Sequence, residues 1–462
     1  MELNDSKLAA SQRLLTDTSI NGGFSSGIQH FVNLKKTKWR FVVLFIQCYL
    51  MAANYYCLYS LNSVQLEIQK YFQIDYVEYN LLTSIYGIPN VILCFISGNV
   101  IHLIGLRASN FIFFFMILIG QIIVSISPIY TSYSIALIGR LIVGVGSELQ
   151  QCSYYYIISI WFKNKEMALA SSFSVLALRI GAVCPDLIIP YVFSNTSSLV
   201  YSQMTGILVA FVGTIFAILY NLIDSYNERH LKMRKSYMEF SMKTTFIIEE
   251  EQITWSSFKE LPRSYWIFSF LVICMYGTFQ PFNSNLNSLI RERFGYDMIG
   301  AGQAIAIPSF IIALMAPIFG IISDKHGHRG DILIIATVFL ATSQIWMGSL
   351  NSCRECIDIV YVIFVFQIAY SFFISNIWAA LRLITPKHLR GVGVGITNSL
   401  QNIGYFFSSM LIGLILDLSE DKKEGYIKVN YSMALMNATG LLILIGWSYF
   451  DRNRLNAKKQ LD

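Results

Sequence analysis

Apolar runs of about 20 residues recur along the whole chain, which is the length of helix that crosses a hydrocarbon core. Lipid offers no hydrogen-bond partners, so each run must satisfy its own backbone by forming a helix. Hydrophobic residues make up 55% of the 462 and charged residues only 13%, against roughly 25% charged residues in soluble domains. The chain is therefore predicted to be an all-α membrane protein with twelve transmembrane helices: 41–61, 79–101, 109–128, 134–158, 167–193, 202–223, 264–285, 301–323, 331–350, 357–382, 391–416 and 431–450.

The twelve spans fall into two sets of six, separated by a polar stretch. An N-terminal six-helix bundle is expected over 41–223 and a C-terminal six-helix bundle over 264–450. Charges of both signs fill the linker, 224–263, which has too few apolar residues to span a membrane or to fold alone. Residues 1–40 are expected to be a disordered cytosolic N-terminus, and residues 451–462 a cytosolic tail.

Lysine and arginine are distributed unequally between the two sides of the predicted membrane protein. Of the 34, 24 lie on the side of both termini and the linker, 7 lie on the other side and 3 lie inside spans. Short loops rich in these residues stay in the cytosol, so both termini are predicted to be cytosolic. The net charge of +6 therefore reflects orientation, and nucleic acid is excluded as a partner. Residues 1–38 are polar, so the first span is expected to be an uncleaved anchor.

A glycine-rich motif with charged residues joins the second and third spans of the second half. It reads Gly320-Ile-Ile-Ser-Asp324-Lys-His-Gly327-His-Arg329. The glycines permit a tight turn, Asp324 can accept hydrogen bonds at a helix end, and Arg329 can add a charge-assisted bond. This motif resembles the signature loop of the major facilitator superfamily, which implies two six-helix bundles and a latch made by Gly320, Asp324, Gly327 and Arg329. An ordinary turn is the alternative.

The corresponding loop of the first half repeats the motif imperfectly. Gly98, Gly105 and Arg107 occupy matching places, but His102 stands where the acidic residue belongs. Two degenerate copies at corresponding places support a paired six-helix repeat. The latch of the first half is expected to be weakened or rebuilt.

The fourth span carries two ionisable residues. Arg140, Gly144 and Glu148 follow one another at intervals of four and so lie along one side of a helix. Glycine at this spacing lets a neighbouring helix pack closely, and the run resembles the fourth-helix motif of the same superfamily. Arg140 is predicted either to act in gating or to satisfy backbone carbonyls near a helix end.

Glu148 and Arg179 are predicted to lie at similar depth on adjacent, antiparallel spans. Ionisable groups inside a span are costly unless they face a partner or a water-filled cavity. One anion and one cation lining a cavity suit a zwitterion, with an ammonium group at Glu148 and a carboxylate at Arg179. The alternative is a structural ion pair between the two side chains, since breaking a buried pair is expensive.

Aromatic and proline residues in the second set of six spans are expected to line the other side of the same cavity. Tyr276 and Trp378 lie mid-span or near a break and are expected to shape the pocket. Pro281 interrupts the seventh span and is followed by Asn283 and Asn285, so a broken helix is expected to act as a gate.

Smaller signals concern modification and sorting. Sequons at Asn195 and Asn430 fall in predicted loops on the non-cytosolic side, where a glycan can be attached. Leu14 and Leu15 could form a sorting signal, although Ala10 replaces the usual upstream acidic residue. Catalytic, metal-binding and nucleotide-binding motifs are absent from the sequence, so neither an enzyme nor a bound cofactor or metal is expected.

Several stretches resemble, within the superfamily, the lysosomal dipeptide transporters. The resemblance implies a uniporter that exports dipeptides, notably those with cationic residues, from the lysosome lumen to the cytosol. It also implies that Glu148 binds the amino end of the peptide and Arg179 its carboxylate. The matching segments are Pro89–Phe95, Gly139–Glu148, Trp161–Glu166, Arg179–Gly181, Ala316–Gly320, Pro386–His388 and Ser399–Gly404.

The resemblance also implies binding partners, and alternative functions remain open. Besides a dipeptide and the lipid bilayer, a homodimer or a glycosylated single-pass accessory subunit is expected, although the two sequons suggest less need for that subunit. His102 departs from the family pattern, as do the charges Asp186 and Arg382. The alternative functions are a porter for another small solute, such as a monocarboxylate or sugar, with or without proton coupling, and a receptor or scaffold that transports nothing.

Overall fold

The computed structural model describes residues 34–162, 165–238, 260–326, 328–386 and 389–455. Its regular structure in these ranges is helical. The fourteen α-helices are α1 Trp39–Tyr59, α2 Gln65–Phe72, α3 Tyr76–Ser84, α4 Gly87–Ile104, α5 Leu106–Ile126, α6 Tyr133–Trp161, α7 Lys165–Thr196, α8 Leu199–Met238, α9 Arg263–Phe294, α10 Met298–His326, α11 Arg329–Ser349, α12 Asp358–Ile384, α13 Arg390–Asp417 and α14 Lys422–Leu455.

These helices make twelve spans. Eleven segments are long and apolar enough to cross a membrane, with Trp39–Phe72 covering α1 and α2 and Tyr76–Ile104 covering α3 and α4. The twelfth is α6, whose 29 residues include Arg140 and Glu148. With an even number of spans, Leu34 and Leu455, the two ends of the described chain, lie on the same side of the membrane. We call the opposite side the distal face.

Two bundles have separate hydrophobic cores. One core is built from α1, α5, α6, α7 and α8, and another almost entirely from α9 to α14. We call the helices α1–α8 the first bundle and the helices α9–α14 the second bundle. Large apolar side chains instead point outward from α8 at helical spacing, which is the arrangement expected against lipid; they are Leu208, Phe211, Ile215 and Leu222.

Two seams join the bundles. Helix α13 packs on α3 and α4, and α10 packs on α7. Backbone comes very close at the second seam: a Cβ atom added to Gly302 of α10 would lie 2.1 Å from the carbonyl oxygen of Asp186 on α7. The twelve-span, two-bundle fold predicted from the sequence is therefore confirmed.

The ends of several helices differ from the expectation. Helix α8 runs on to Met238, so the start of the predicted linker continues the sixth span. Helix α9 is continuous over Arg263–Phe294 with Pro281 inside it, so the prediction of a broken seventh span is wrong. Within this continuous helix, Asn285 Nδ2 donates to the carbonyl oxygen of Pro281 at 2.9 Å.

Candidate functional site

Glu148 lies halfway along α6 and faces the seam with the second bundle. Its side chain is buried, with 8% exposure. Its Oε1 atom accepts a hydrogen bond from Asn398 Nδ2 of α13 at 2.9 Å and another from Cys94 Sγ of α4 at 3.1 Å. Both donors are neutral, so no cation compensates the carboxylate through these contacts.

Close packing of α13 on α4 holds Asn398 in place. Ser399 Oγ donates to the carbonyl oxygen of Val91 at 2.7 Å, across the same seam. On its own helix, Asn398 accepts from Asn402 Nδ2 through its carbonyl oxygen at 3.0 Å. The bond from Asn398 to Glu148 therefore couples the two bundles at mid-membrane depth.

Arg179 lies halfway along α7 and also faces the second bundle. Its guanidinium carbon stands 5.1 Å from the ring centroid of Tyr370 on α12, a cation–π contact. Its Nη2 atom is buried and has no hydrogen-bond partner. A buried donor without a partner is costly, and a planar guanidinium matches a carboxylate well. Arg179 is thus poised to bind an anion.

Tyr276 and Trp378 lie together, as the sequence suggested, next to Arg179. Trp378 Nε1 donates to the Tyr276 hydroxyl at 2.8 Å. The Tyr276 ring packs edge-on against Tyr370 at 6.3 Å and against Phe373 at 6.0 Å. Tyr370 therefore links Arg179 to the aromatic pair. Sequence reasoning missed Tyr370, which is one of several tyrosines in the spans and carries no motif.

Glu148 and Arg179 are not paired with each other. Each has the neighbours given above, and in the part of the chain that is described no hydrogen bond or salt bridge joins them. The alternative of a structural ion pair between these two side chains is therefore wrong. Tyr55 of α1 lies near both Glu148 and Tyr370.

Arg140 stabilises the first bundle through hydrogen bonds inside it. Its guanidinium donates to the carbonyl oxygens of Cys57 at 3.2 Å and Leu58 at 3.0 Å, both at the end of α1, and to that of Leu82 at 3.4 Å. The side chain is 1% exposed. These contacts match the expectation that Arg140 satisfies carbonyls near a helix end, and all its hydrogen-bond partners lie in the first bundle.

The predicted latch of the second half is only partly described. Gly320 and Asp324 lie on α10, which continues to His326, so Asp324 is in the last turns of a helix and not in a loop as predicted. Gly327 falls outside the described residues, as does the side chain of Asp324. Arg329 begins α11 and is buried, with 8% exposure.

In the matching loop of the first half, Arg107 pairs with acidic residues of another helix. Arg107 Nε lies 3.1 Å from Asp224 Oδ2 of α8, and Arg107 also pairs with Glu228 one turn further on. Ser225 accepts a third bond from Arg107 at 3.0 Å. His102 is exposed on α4.

Ion pairs and hydrogen bonds close the distal face between the bundles. Arg291 of α9 donates to both oxygens of Glu67 on α2, at 2.9 and 2.6 Å. The Tyr76 hydroxyl donates to Glu292 Oε1 at 2.7 Å, and Asp417 accepts from the backbone N–H of Tyr76 at 3.0 Å. We call these contacts the distal gate. Sequence reasoning missed the distal gate, because Glu67, Arg291 and Glu292 lie outside the predicted spans like ordinary loop charges.

Amides extend the distal gate toward the centre. Gln65 Nε2 donates to Asn285 Oδ1 at 3.0 Å, and Asn285 Nδ2 donates to Asn80 Oδ1 at 2.8 Å. Asn285, which was expected in a helix break, therefore ties the two bundles together from a continuous helix.

The remaining predicted residues lie apart from the site. Asn195 is exposed at the end of α7, where a glycan can be accommodated. Asn430 is 0% exposed and lies inside α14, so the prediction that it occupies a loop is wrong, and a glycan on its buried amide would have no room. Leu14 and Leu15 fall outside the described residues, as does the side chain of Arg382. Among the residues that are described, no group of three His, Cys, Asp or Glu side chains could hold a metal ion.

Two bundles that meet around a buried polar site at mid-membrane depth define a transporter class. A model of the Major Facilitator Superfamily matches residues 45–409, and the chain belongs to this superfamily. A solved structure of a POT family transporter in complex with a thioalcohol-conjugated peptide has the same fold, with a TM-score of 0.64 at 14% identity, covering 89% of this chain and 96% of the other.

Curated relatives are similar over most of the chain. The lysosomal dipeptide transporter MFSD1 of Bos taurus is 25% identical over 410 residues, covering 85% of this chain and 83% of the relative. The protein of the same name from Homo sapiens is 25% identical over 389 residues, covering 82% and 80%. The resemblance read from the motifs is thereby confirmed. The chain is a multi-pass membrane transporter of the superfamily and not an enzyme.

Proposed function

We propose that this transporter moves dipeptides from the lysosome lumen to the cytosol as a uniporter, by alternating access. The ammonium group of the peptide binds Glu148, and its carboxylate binds Arg179. Tyr276 and Trp378, with Tyr370, form the wall of the pocket on the second bundle. The relatives named as lysosomal dipeptide transporters support this cargo and this compartment.

One observation carries the proposal: two opposite charges face the second bundle from adjacent helices, and neither is neutralised by the other. The buried Nη2 of Arg179 has no hydrogen-bond partner. Glu148 is held by an amide and a thiol only. An ammonium group adds the attraction of opposite charges to its hydrogen bond with a carboxylate, so a zwitterion would displace the amide at Glu148 and bind the guanidinium with its own carboxylate.

The distal gate indicates which side of the site is closed in this conformation. It joins the bundles on the face away from the termini, while the site charges lie at mid-depth. With the termini in the cytosol, as the lysine and arginine distribution supports, the distal face is lumenal and this conformation is closed to the lumen. In the proposed cycle the bundles close the distal face and open the face of the termini, and the peptide is released there.

Proteoliposome uptake tests the proposal directly. Purified protein is expected to take up Ala-Ala and to be thermally stabilised by it, and Glu148→Gln is expected to lower the affinity at least tenfold, about 1.4 kcal/mol. Asn195→Gln, at an exposed position, serves as the matched control and should transport normally. Uptake of a monocarboxylate or sugar without uptake of dipeptides would overturn the dipeptide assignment. Unchanged dipeptide uptake by Glu148→Gln would overturn the role of that carboxylate.

The coupling mode is tested in the same vesicles. A uniporter requires only the dipeptide gradient, so uptake of Ala-Ala should be unchanged when a proton gradient is imposed or collapsed. An accumulation of dipeptide driven by the proton gradient would show coupling instead. A homodimer or a glycosylated single-pass subunit is proposed from the resemblance alone.

A further inference from the structure

The end of α9 carries residues of the distal gate and is held by a loop of its own bundle. Arg291 and Glu292 stand in the last turn of α9. Just beyond them, the carbonyl oxygen of Phe294 accepts a hydrogen bond from the backbone N–H of Glu355 at 2.8 Å. Glu355 lies between α11 and α12, and we call this connection, residues 350–357, the clasp loop. A carbonyl at a helix C-terminus has no partner within the helix, so the clasp loop caps α9.

Two further side chains fasten this end of α9 to the clasp loop and to the helix that leads into it. The Tyr296 hydroxyl donates to the carbonyl oxygen of Cys356 at 2.9 Å. The guanidinium of Arg293, which is 2% exposed, donates to the carbonyl oxygens of Met347 at 2.7 Å and Gly348 at 2.9 Å. Both carbonyls lie at the end of α11, directly before the clasp loop. The gate-bearing end of α9 is therefore tied to the clasp loop at neighbouring positions.

A disulfide between Cys353 and Cys356 closes the clasp loop. The ring that it forms contains Glu355 in the left-handed backbone conformation, with φ at 52°, which residues other than glycine adopt only at a cost. The ring keeps the clasp loop from relaxing out of this conformation, so the N–H of Glu355 stays directed at the carbonyl of Phe294. The two cysteines are partly exposed, and Arg354 between them is exposed. The disulfide therefore lies at the surface, within reach of a small molecule.

We propose that this disulfide is a reversible redox site for small thiols and that its reduction loosens the distal gate. Once the ring is open, Glu355 leaves the left-handed conformation, its N–H turns away from Phe294, and the last turn of α9 loses a capping bond. Arg291 and Glu292 then lose the fixed backbone that directs them at the first bundle. This inference rests on the distal gate and not on the identity of the transported solute.

The chemistry is thiol–disulfide exchange with a small thiol as the reductant. Its thiolate attacks one sulfur of the disulfide and forms a mixed disulfide, while the other cysteine leaves as a thiolate and takes up a proton. A second small thiolate attacks the small-molecule sulfur of the mixed disulfide, and the remaining cysteine leaves and is protonated. Two small thiols are thereby oxidised to one small disulfide, and the protein disulfide is reduced to two thiols. The orientation predicted from the basic residues places the clasp loop outside the cytosol, where disulfides form.

Hydrogen exchange with cysteamine as the reductant tests the inference. In nanodiscs at neutral pH, excess cysteamine is expected to reduce the disulfide of the folded protein, which alkylation and peptide mass spectrometry would record as two modified thiols at Cys353 and Cys356. Amide exchange in the last turn of α9 and in α2 should then rise about fivefold, the factor expected for the loss of one hydrogen bond. Exchange in α5, inside the first bundle, should stay unchanged, and reoxidation with cystamine should restore the original rates.

Two variants separate the clasp loop from the other cysteines. The combination of Cys353→Ser with Cys356→Ser should show the faster exchange without any reductant and should not respond to cysteamine. Cys274→Ser removes a cysteine of α9 that is free in the structure. It is the matched control, and its exchange should respond to cysteamine as the wild-type chain does.

Every other outcome overturns the inference. A disulfide that resists cysteamine in the folded protein is not a redox site for small thiols. Reduction without faster exchange in α2 and the end of α9 would show that the clasp loop does not hold the gate. Faster exchange that extends to α5 would show that the disulfide supports the whole fold. If the double serine variant does not fold, the wild-type chain before and after cysteamine treatment still decides among these outcomes. Dipeptide uptake is a separate measurement, so the proposed function and this redox site can fail independently.

Discussion

Individual side chains in the site are held by neutral neighbours, which makes their bonds easy to exchange. Glu148 accepts from the amide of Asn398 at 2.9 Å, across the seam between the bundles. A hydrogen bond from a neutral amide to a carboxylate contributes about 1.5–3 kcal/mol net. The ammonium group of a peptide would form a stronger bond with the same oxygen, so binding of the peptide would release Asn398 and loosen the seam.

Asn398→Leu separates this exchange from direct binding. Without the amide, the unliganded protein is expected to unfold at a lower temperature, because Glu148 loses a donor. The peptide no longer has to displace a bond, so Ala-Ala is expected to bind a few-fold more tightly, and its stabilising effect in thermal unfolding should increase. Asn402→Leu is the control, since Asn402 bonds to Asn398 and makes no hydrogen bond to Glu148. Weaker binding in Asn398→Leu would show that the amide itself contacts the peptide.

The sequence could identify the charged and aromatic members of the site but not the partners that complete it. Glu148 and Arg179 are conspicuous because ionisable residues inside apolar spans are rare and costly. Asn398 and Tyr370 are ordinary residues in spans, and their importance comes from contacts with residues far away in the chain. Asn398 is 250 positions from Glu148, and no local pattern records such a pairing.

At the scale of helices, hydropathy located the spans well because lipid imposes a length on every apolar run. The errors lie where a helix is stabilised by neighbours instead of by lipid. Hydropathy places Asn430 just outside the last span, yet α14 already begins at Lys422 and packs in the second bundle. Pro281 indicates a break, but α9 is continuous and is packed into the core of the second bundle.

The ion pair of the distal gate is expected to stabilise the closed conformation measurably. Glu67 and Arg291 are only 15% and 17% exposed, so their attraction is screened less than that of a surface pair. Arg291→Gln should shift the equilibrium between the closed and open distal face toward the open state by roughly 1–3 kcal/mol. This change lies between the values for exposed and fully buried ion pairs. Hydrogen exchange of the amides in α2 should rise accordingly. The exchanged pair Glu67→Arg with Arg291→Glu should restore protection, and unchanged exchange in the single variant would contradict the gate.

Glycosylation distinguishes a helix end from a helix interior. Asn195 is exposed where α7 ends, whereas Asn430 is fully buried in α14. In a glycosylating host cell, Asn195→Gln is expected to remove the entire shift in electrophoretic mobility caused by glycosidase treatment, and Asn430→Gln is expected to leave that shift unchanged. Because only lumenal residues receive these glycans, a shift that depends on Asn195 also places both termini in the cytosol. A shift that persists in Asn195→Gln would contradict the assignment.

For the whole molecule, the sequence predicted two bundles from a repeated loop motif and from six spans on either side of a linker. The placement of one bundle against the other could not be predicted, because it depends on surface shape and on backbone contact at the seams. Gly302 shows this: the sequence presents it as one glycine among 29, yet the structure places it where two helix backbones touch across the seam.

Two glycines make a matched test of rocking between the bundles: Gly181 of α7 contacts α1, and Gly302 of α10 contacts the other side of α7. A Cβ atom on Gly181 would lie 2.1 Å from the Ala52 carbonyl within the first bundle, and one on Gly302 would lie 2.1 Å from the Asp186 carbonyl between bundles. Both contacts are with backbone, so the helices must separate. Because the bundle is a single packed unit, Gly181→Ala is expected to cost about 1–3 kcal/mol of folding stability, the usual cost of overpacking.

Gly302→Ala is expected to behave differently although its clash is equally severe. In the proposed cycle this seam opens, so the added methyl group can be accommodated by moving the second bundle away from α7 without unfolding either bundle. Thermal stability should fall less than in Gly181→Ala, while hydrogen exchange on the distal face, in α2 and the last turn of α9, should increase. Equal losses of stability in the two variants, without increased exchange, would mean that α7 and α10 form a rigid contact and that the bundles do not rock about this seam.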